Sequence, residues 1–404
     1  MADQTGHRFV VFISRQEEMA EYQSLKPRSD FVFTSFSCVG PDVLTIDPQR
    51  PSAVFAELNY LHRQQPFSAV LNRKEKCVIP AAQLALALEL PPITLKPEVA
   101  RDKYLMRRLL NDGATFPKTV LIRRAEDLRA VDSSIFPGVL KPRFGFNSRS
   151  VVLVSDHNAL RESYAEQHYL YSRLPKQDGT SNDFVFEQLI PGTEHNVETL
   201  IKDGRPIVHL MSDKRPMTAP YFVETGDTMP SLLAPRDQAA CIAATERALM
   251  RMEIRNGWTH TEVKLDGGRA MVVECAARMG GGYFENLFND VYAIKRMQML
   301  IEMYCGAELS VPPIARTYAA ARRIVVYGAR KRWNLANATE LFESEHVKLL
   351  WPEAISAISR ELAGPPDDFN NTLCEFVVLS PSAVEATSLA DRVLSQAHQN
   401  LSAD

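Results

Sequence analysis

No apolar run in the sequence approaches 18 residues, so no segment reads as a membrane-spanning helix. Cysteine is scarce. The six residues Cys38, Cys77, Cys241, Cys275, Cys305 and Cys374 lie far apart, and no pair has the spacing of a metal knuckle or a redox motif. Buried free thiols in a reducing cytoplasm are the expectation. Net charge is nearly absent: 46 Lys and Arg against 49 Asp and Glu give −3. That balance offers no footprint for nucleic acid. There is no internal repeat and no low-complexity segment. The polar start, Met1 to Arg8, and the short FVVFIS run after it do not read as a signal peptide. What remains is ordinary for a soluble globular chain, with 45% hydrophobic and 24% charged residues. At about 150 residues per domain, 404 residues predict two or three domains.

Residues 8–14 (RFVVFIS) read as a strand, and strand-like and helix-like segments alternate up to about Pro97. Pro80–Leu90 is an apolar helix with proline at its start. This stretch predicts a small α/β domain over 1–97. After the linker-like Pro91–Glu98, Asp102–Asn111 reads as a basic amphipathic helix ended by Gly113. Strands follow at 118–122, 138–141, 150–154, 184–190, 196–201 and 206–211. Asp203-Gly204 is a hairpin turn between the last two. A long helix is expected over Arg236–Met252, then strands over Thr259–Leu265 and Ala270–Glu274, and one helix over Phe288–Tyr304. The segment 311–404 reads as α+β, with strands at 321–327 and 374–379 and a final helix from Ala383.

Four motifs carry chemistry. In the first, a strand ends at Lys141 and leads into Pro142-Arg143-Phe144-Gly145-Phe146-Asn147-Ser148. Gly, Asn and Ser permit the close approach and unusual dihedrals with which a backbone covers phosphates, and Lys141 adds a point charge. By itself this is also a plain hairpin turn. The second is the pair Glu262 and Glu274. A three-residue loop over Gly267-Gly268-Arg269 would set Asp266 against Ala270 and Glu262 directly opposite Glu274, with His260 and Ala276 as the next pair. Opposed like charges are unfavourable, and a hard cation would offset them. A two- or four-residue loop would break that parity. The third is Glu274-Cys-Ala-Ala-Arg278-Met-Gly-Gly-Gly, where Arg278 is suited to bracing an anion on a transferred group. The fourth is Phe184–Val197, an apolar strand running into Pro191-Gly192. Its backbone at Gln188–Ile190 is suited to a purine edge, and Glu194 to ribose hydroxyls.

In this order, with Asp102-Lys103 ahead of them, the motifs resemble the ATP-grasp superfamily of carboxylate–amine ligases over roughly 98–310. The Glu274–Gly282 run, with Ala-Val-Leu-Asn-Arg-Lys-Glu75 upstream, is most similar to the L-amino acid ligase group of dipeptide and carnosine synthetases. The resemblance implies an α/β fold of three parts. These are a pre-ATP-grasp domain over 1–97, an ATP-grasp domain over 98–310 with a lid at about 113–190, and a C-terminal portion over 311–404. It implies that Lys103 and Lys141 contact ATP phosphates and that Ser148 belongs to the covering lid. It implies that Glu187, Gln188, Leu189 and Ile190 hold adenine and that Glu194 holds ribose. It implies that Glu262 and Glu274 bind one or two Mg²⁺, with Mn²⁺ as a substitute. Arg278 would brace an acyl phosphate, Gly281 would lie beside the substrate, and Glu75 and His260 would belong to the amino-acid site. The activity implied is ATP-dependent amide or dipeptide formation from small-molecule carboxylate and amine substrates. It comes with a cytoplasmic location, no nucleic acid, no membrane, and a homodimer by analogy. A carboxyphosphate-forming ligase and a non-catalytic nucleotide-binding module are the alternatives. Two positions depart from the family pattern. Ala276 stands where Asn is usual, which implies a metal ligand lost or supplied by water. Asn147 and Ser150 stand where Gly is common.

Overall fold

The computed structural model describes residues 6–25, 29–47, 50–111, 116–173, 181–217, 219–309, 314–326, 342–343, 346–350 and 372–399, with the short strands 332–334, 360–361 and 402–403. The expected helix end at Gly113 lies outside the described residues. Among those residues no helix is long and apolar enough to cross a membrane.

The first sheet is wholly parallel, in the order Val43–Thr45, Asp30–Ser35, Arg8–Phe12, Ala69–Asn72. Its central strand is apolar on both faces, and Phe9, Val10, Val11 and Phe12 are all fully buried, as a strand covered on both sides requires. Ligands bind at the carboxyl ends of such strands. There the strand Ala69–Asn72 is followed by a short 3₁₀ turn, Glu75–Cys77, and the helix Val78–Ala87.

The second sheet is antiparallel, in the order Thr119–Ile122, Phe184–Gln188, Gly138–Pro142, Val152–Val154. The helix His157–Ser172 packs on it. Asp156 caps that helix by accepting from the Asn158 and Ala159 amides at 2.8 and 3.0 Å.

The third sheet has eight strands. It begins at the hairpin Arg269–Ala276 and Gly257–Asp266, continues through Thr193–Lys202, Arg205–Lys214 and Gly226–Met229, and ends with Tyr318–Val325, Thr372–Ser380 and Val347–Leu350. The segment after 311 is thus built into the same sheet as the hairpin that bears the glutamates. The Asp203-Gly204 turn joins Lys202 to Arg205 with both residues at positive φ, 52° and 77°, the geometry that a two-residue hairpin prefers.

Two expectations need correction. Phe288–Tyr304 is not one helix but two, Phe284–Tyr292 and Arg296–Tyr304, because Ala293 adopts the left-handed conformation at φ 55° and ends the first. The glutamate hairpin also turns differently. Gly267 and Gly268, at φ 54° and 81°, form a two-residue turn in which Asp266 pairs with Arg269, and Leu265 rather than Asp266 faces Ala270. A bulge between Glu262 and Val263 leaves Val273 as an extra residue. That single bulge restores the parity the shorter turn would have broken, so Glu262 does face Glu274, and His260 faces Ala276.

Candidate active site

The three sheets enclose a cavity of 1840 Å³, lined by every residue to which the sequence assigned a nucleotide, metal or substrate role. Lys103 opens the helix Lys103–Asn111. Asp102 caps that helix through the Tyr104 and Leu105 amides at 3.0 and 3.1 Å. The other Asp102 oxygen accepts from Arg143 at 2.6 and 2.8 Å, which ties the cap to the loop after Lys141. Lys103 Nζ donates to Glu274 at 2.5 Å and to the Gly145 carbonyl at 3.1 Å.

The loop itself is strained. Asn147, Ser148 and Ser150 lie at φ 56°, 51° and 60°, in the region that favours glycine. Three non-glycine residues held there mark a segment whose conformation is imposed by its surroundings. Ser148 lies at the cavity wall.

Lys141 and Glu187 come from neighbouring strands and bond each other inside the protein, and Arg107 Nε donates to the second Glu187 oxygen at 3.0 Å. Arg107 also donates to the Val272 and Val273 carbonyls at 2.9 Å each, so it satisfies the carbonyls at the bulge. The Gln188 amide donates to Lys118 at 2.8 Å and the Leu189 amide to Pro137 at 3.1 Å. Both residues are therefore fixed to the smaller antiparallel sheet, and Ile190 is buried behind them.

Burial works against charge on Glu187, but the Arg107 and Lys141 cations hold its carboxyl down at about 2. Glu75 is likewise buried, yet Arg278 and Arg101 hold it at about 2. Its partners are Arg101 at 2.5 Å and Arg278 Nε. Both folded values lie below the ordinary 4.5. Their contribution to stability is present above 4.5 and is lost as pH falls from there through about 2. The stability measured by urea unfolding should therefore fall progressively from about pH 5 downward, with the full loss, on the order of 3 kcal/mol per group, reached only below about pH 2. Glu187→Gln should flatten that drop, and an unchanged slope would contradict the assignment.

Glu262 and Glu274 keep 25% and 27% of their side chains exposed, and each sets Oε1 against a lysine. Lys214 Nζ donates to Glu262 at 2.6 Å and to Glu194 at 3.0 Å. Burial of the lysine is outweighed by these carboxylates, which keep it protonated well above the ordinary lysine range. Glu262 is pulled well below the usual carboxylate range, against burial, by Lys214 and His260. His260 sits between Glu198 and Glu262, and although burial lowers it the two carboxylates raise it to about 9. Gly281 lies on the cavity wall, and a Cβ added there would meet nothing within 4 Å.

Among the described residues no group of three or more His, Cys, Asp or Glu could enclose a metal. Ala276 adds no oxygen. Two carboxylates without a third suit Mg²⁺, which keeps waters and shares its remaining positions with nucleotide phosphates rather than occupying a protein cage. The donor set fits that ion.

Reading the sequence missed Lys214, Arg107, Glu198 and Arg296. Lys214 was within reach, since the strand expected to stop at Met211 runs only three residues further. The other three show themselves only through partners distant in sequence.

Residues 134–286 match the model of an ATP-grasp domain. Carnosine synthase 1 from Mus musculus is 25% identical over 329 residues, which are 77% of this chain and 39% of that protein. Alanine–anticapsin ligase from Bacillus subtilis (strain 168) is 27% identical over 263 residues, 60% of this chain and 55% of that protein. The chain thus matches well under two thirds of the length of either. The L-amino acid ligase structure from Bacillus licheniformis superposes with a TM-score of 0.76 at 22% identity, over 100% of this chain and 99% of that one. The chain is thus similar to ATP-grasp domains over residues 134–286 and shares its fold with an L-amino acid ligase structure.

Proposed function

We propose that the chain is an ATP-dependent carboxylate–amine ligase, with an amino acid as the activated acid. The observation that carries this reading is the meeting, in one cavity, of the opposed Glu262 and Glu274 with Lys103, Lys141 and Arg278. A carboxylate is a poor electrophile. Attack of its oxygen on the γ-phosphorus of ATP releases ADP and leaves an acyl phosphate. The amine then forms the C–N bond, phosphate departs, and the amine's proton is lost. Lys103 and Lys141 neutralise phosphate charge, and Arg278 braces the acyl phosphate. Glu187–Ile190 and Glu194 hold adenine and ribose. Glu262 and Glu274 hold Mg²⁺, which when bound neutralises phosphate charge. Ser148 and the strained loop close over the nucleotide, which keeps water from the acyl phosphate. Glu75 and His260 face the acid substrate beside Gly281. The proposal also takes in the division at 97 and 310, a cytoplasmic location and a homodimer, which sedimentation measures.

The test is ADP release over pairs of amino acids, with a bicarbonate arm and mass spectrometry of products. Amino-acid-dependent ADP release with an amide product supports the reading. Release with bicarbonate alone, or nucleotide binding with no release for any pair, overturns it.

Lys141→Ala should raise the KM for ATP on the order of 10- to 100-fold, the worth of one charge-assisted contact. Glu187 keeps Arg107, so the variant should stay folded. An unchanged KM and rate would reduce the loop to a turn.

A further inference from the structure

Behind His260 lies a second layer of charge that the proposed chemistry does not use. Glu198 is fully buried on the strand Thr193–Lys202 and sits directly opposite His260 in the register of the neighbouring strand. Both of its oxygens are engaged. Oε1 bonds His260 Nδ1, while Oε2 accepts from Arg296 at 2.7 Å and from the Gly280 amide at 3.2 Å. Arg296, also buried, donates from its second arm to the Gly280 carbonyl at 2.9 Å. The backbone of Gly280 is therefore gripped at both its N–H and its C=O by one ion pair.

Arg296 is itself fixed on three further sides. Glu285 accepts from its Nε at 3.1 Å, the ring of Phe288 lies 4.6 Å from the guanidinium, and Trp258 donates to its carbonyl at 3.0 Å. The fit leaves no room for a side chain at 280. A Cβ there would stand 2.5 Å from Glu198 Oε1 and 2.9 Å from His260 Nδ1.

What the ion pair holds on its far side is cavity wall, namely His260 and, one residue beyond Gly280, Gly281. With Nδ1 turned to Glu198, the other ring nitrogen faces Glu262 at 3.8 Å. Buried charge is expensive to place, and a pair that bonds a site histidine and a site peptide together has a role that packing alone does not require.

We infer that Glu198 and Arg296 are positioning residues, a buried clamp that sets the His260 ring and the Gly280–Gly281 backbone against the acid substrate. The inference rests on the ligase reading for what the clamp serves, but its geometry can be tested apart from that reading.

The experiment compares Glu198→Gln and the double variant Glu198→Gln/Arg296→Met with wild type. Both should melt cooperatively, since Arg296 keeps Glu285 in the single variant and the double variant removes both members of the pair. Kinetics with the best acid and amine should show kcat down on the order of 10- to 100-fold and a raised KM for the acid, as loss of an orienting partner does. The KM for ATP should stay within about twofold of wild type. In ¹⁵N-histidine-labelled protein, wild type should show a downfield Nδ1–H resonance that His260→Gln removes and Glu198→Gln shifts or abolishes. Amide exchange at Gly280 should quicken in both variants. Wild-type kinetics for the acid in a folded variant, or equal losses for acid and ATP, would overturn the positioning role. If wild type releases no ADP with any pair, the ligase reading fails. The resonance and the Gly280 exchange then decide the clamp, and an unmoved spectrum in Glu198→Gln overturns it.

Discussion

Glu274→Ala should remove magnesium-dependent turnover, with a loss on the order of 10³-fold, because several kcal/mol of charge stabilisation go with the ion. The fold should survive. Glu274 is partly exposed, and its partner Lys103 retains the Gly145 carbonyl at 3.1 Å. Relief of the repulsion between opposed carboxylates should leave the melting temperature level or slightly raised. Glu274→Gln is the sharper comparison, since it keeps an acceptor for Lys103 and loses only the charge. ADP release across a magnesium titration measures the effect. Full turnover in either variant at low magnesium would show that the hairpin carboxylates are not the metal site.

Arg278→Lys should cost on the order of 10²-fold in kcat while leaving the KM for ATP nearly unchanged. The arginine leaves the strand end beside Glu274, its Nε is held by Glu75, and one terminal nitrogen donates to the Met279 carbonyl at 2.7 Å. Burial disfavours the charge, but Glu75 and the other nearby carboxylates more than restore it. The guanidinium is thus fixed by the protein before substrate arrives, which is the condition for stabilising charge that develops only in the transition state. Lysine brings a point charge with no fork and cannot hold Glu75 and a phosphoryl oxygen in the same geometry. A defect confined to the ATP KM, or a wild-type kcat, would remove Arg278 from the catalytic role.

Periodicity and turn residues made much of this legible. The apolar RFVVF run, the strand runs at 196–201 and 206–211, and the Asp203-Gly204 turn report local backbone preferences, and the structure forms the corresponding elements. The carboxylate pair was legible for a partly mistaken reason. The facing of Glu262 and Glu274 was expected from a three-residue turn, whereas a two-residue turn and a bulge produce it. A bulge has no fixed sequence signal, so the compensation was hidden. Ala293 was hidden for a similar reason, because alanine is a good helix former and nothing at that position announces a left-handed stop. The buried ion pairs lie deeper still. Lys214 meets Glu262 across 48 positions, Glu198 meets His260 across 62, and Arg296 meets Glu198 across 98. Such pairings depend on which strands become neighbours, and one sequence does not disclose that. The joining of the last three strands to the main sheet was concealed in the same way.

The bulge at Val273 also bears on how this hairpin can change length over evolutionary time. Val273 is the supernumerary residue, so a lineage that lost it would still set the two glutamates face to face, now eleven positions apart instead of twelve, as the antiparallel count requires. What must be inherited is which side of the ribbon each carboxylate occupies, not the number of residues between them. Arg107 ties this freedom to the Glu187 side of the cavity. It holds the Val272 and Val273 carbonyls with one end of its guanidinium and Glu187 with the other. Loss of Val273 would therefore leave the glutamates aligned while removing one of the two carbonyl anchors of the arginine that steadies Glu187. An indel on the glutamate hairpin would be felt first on the opposite wall, at Glu187 and its partner Lys141.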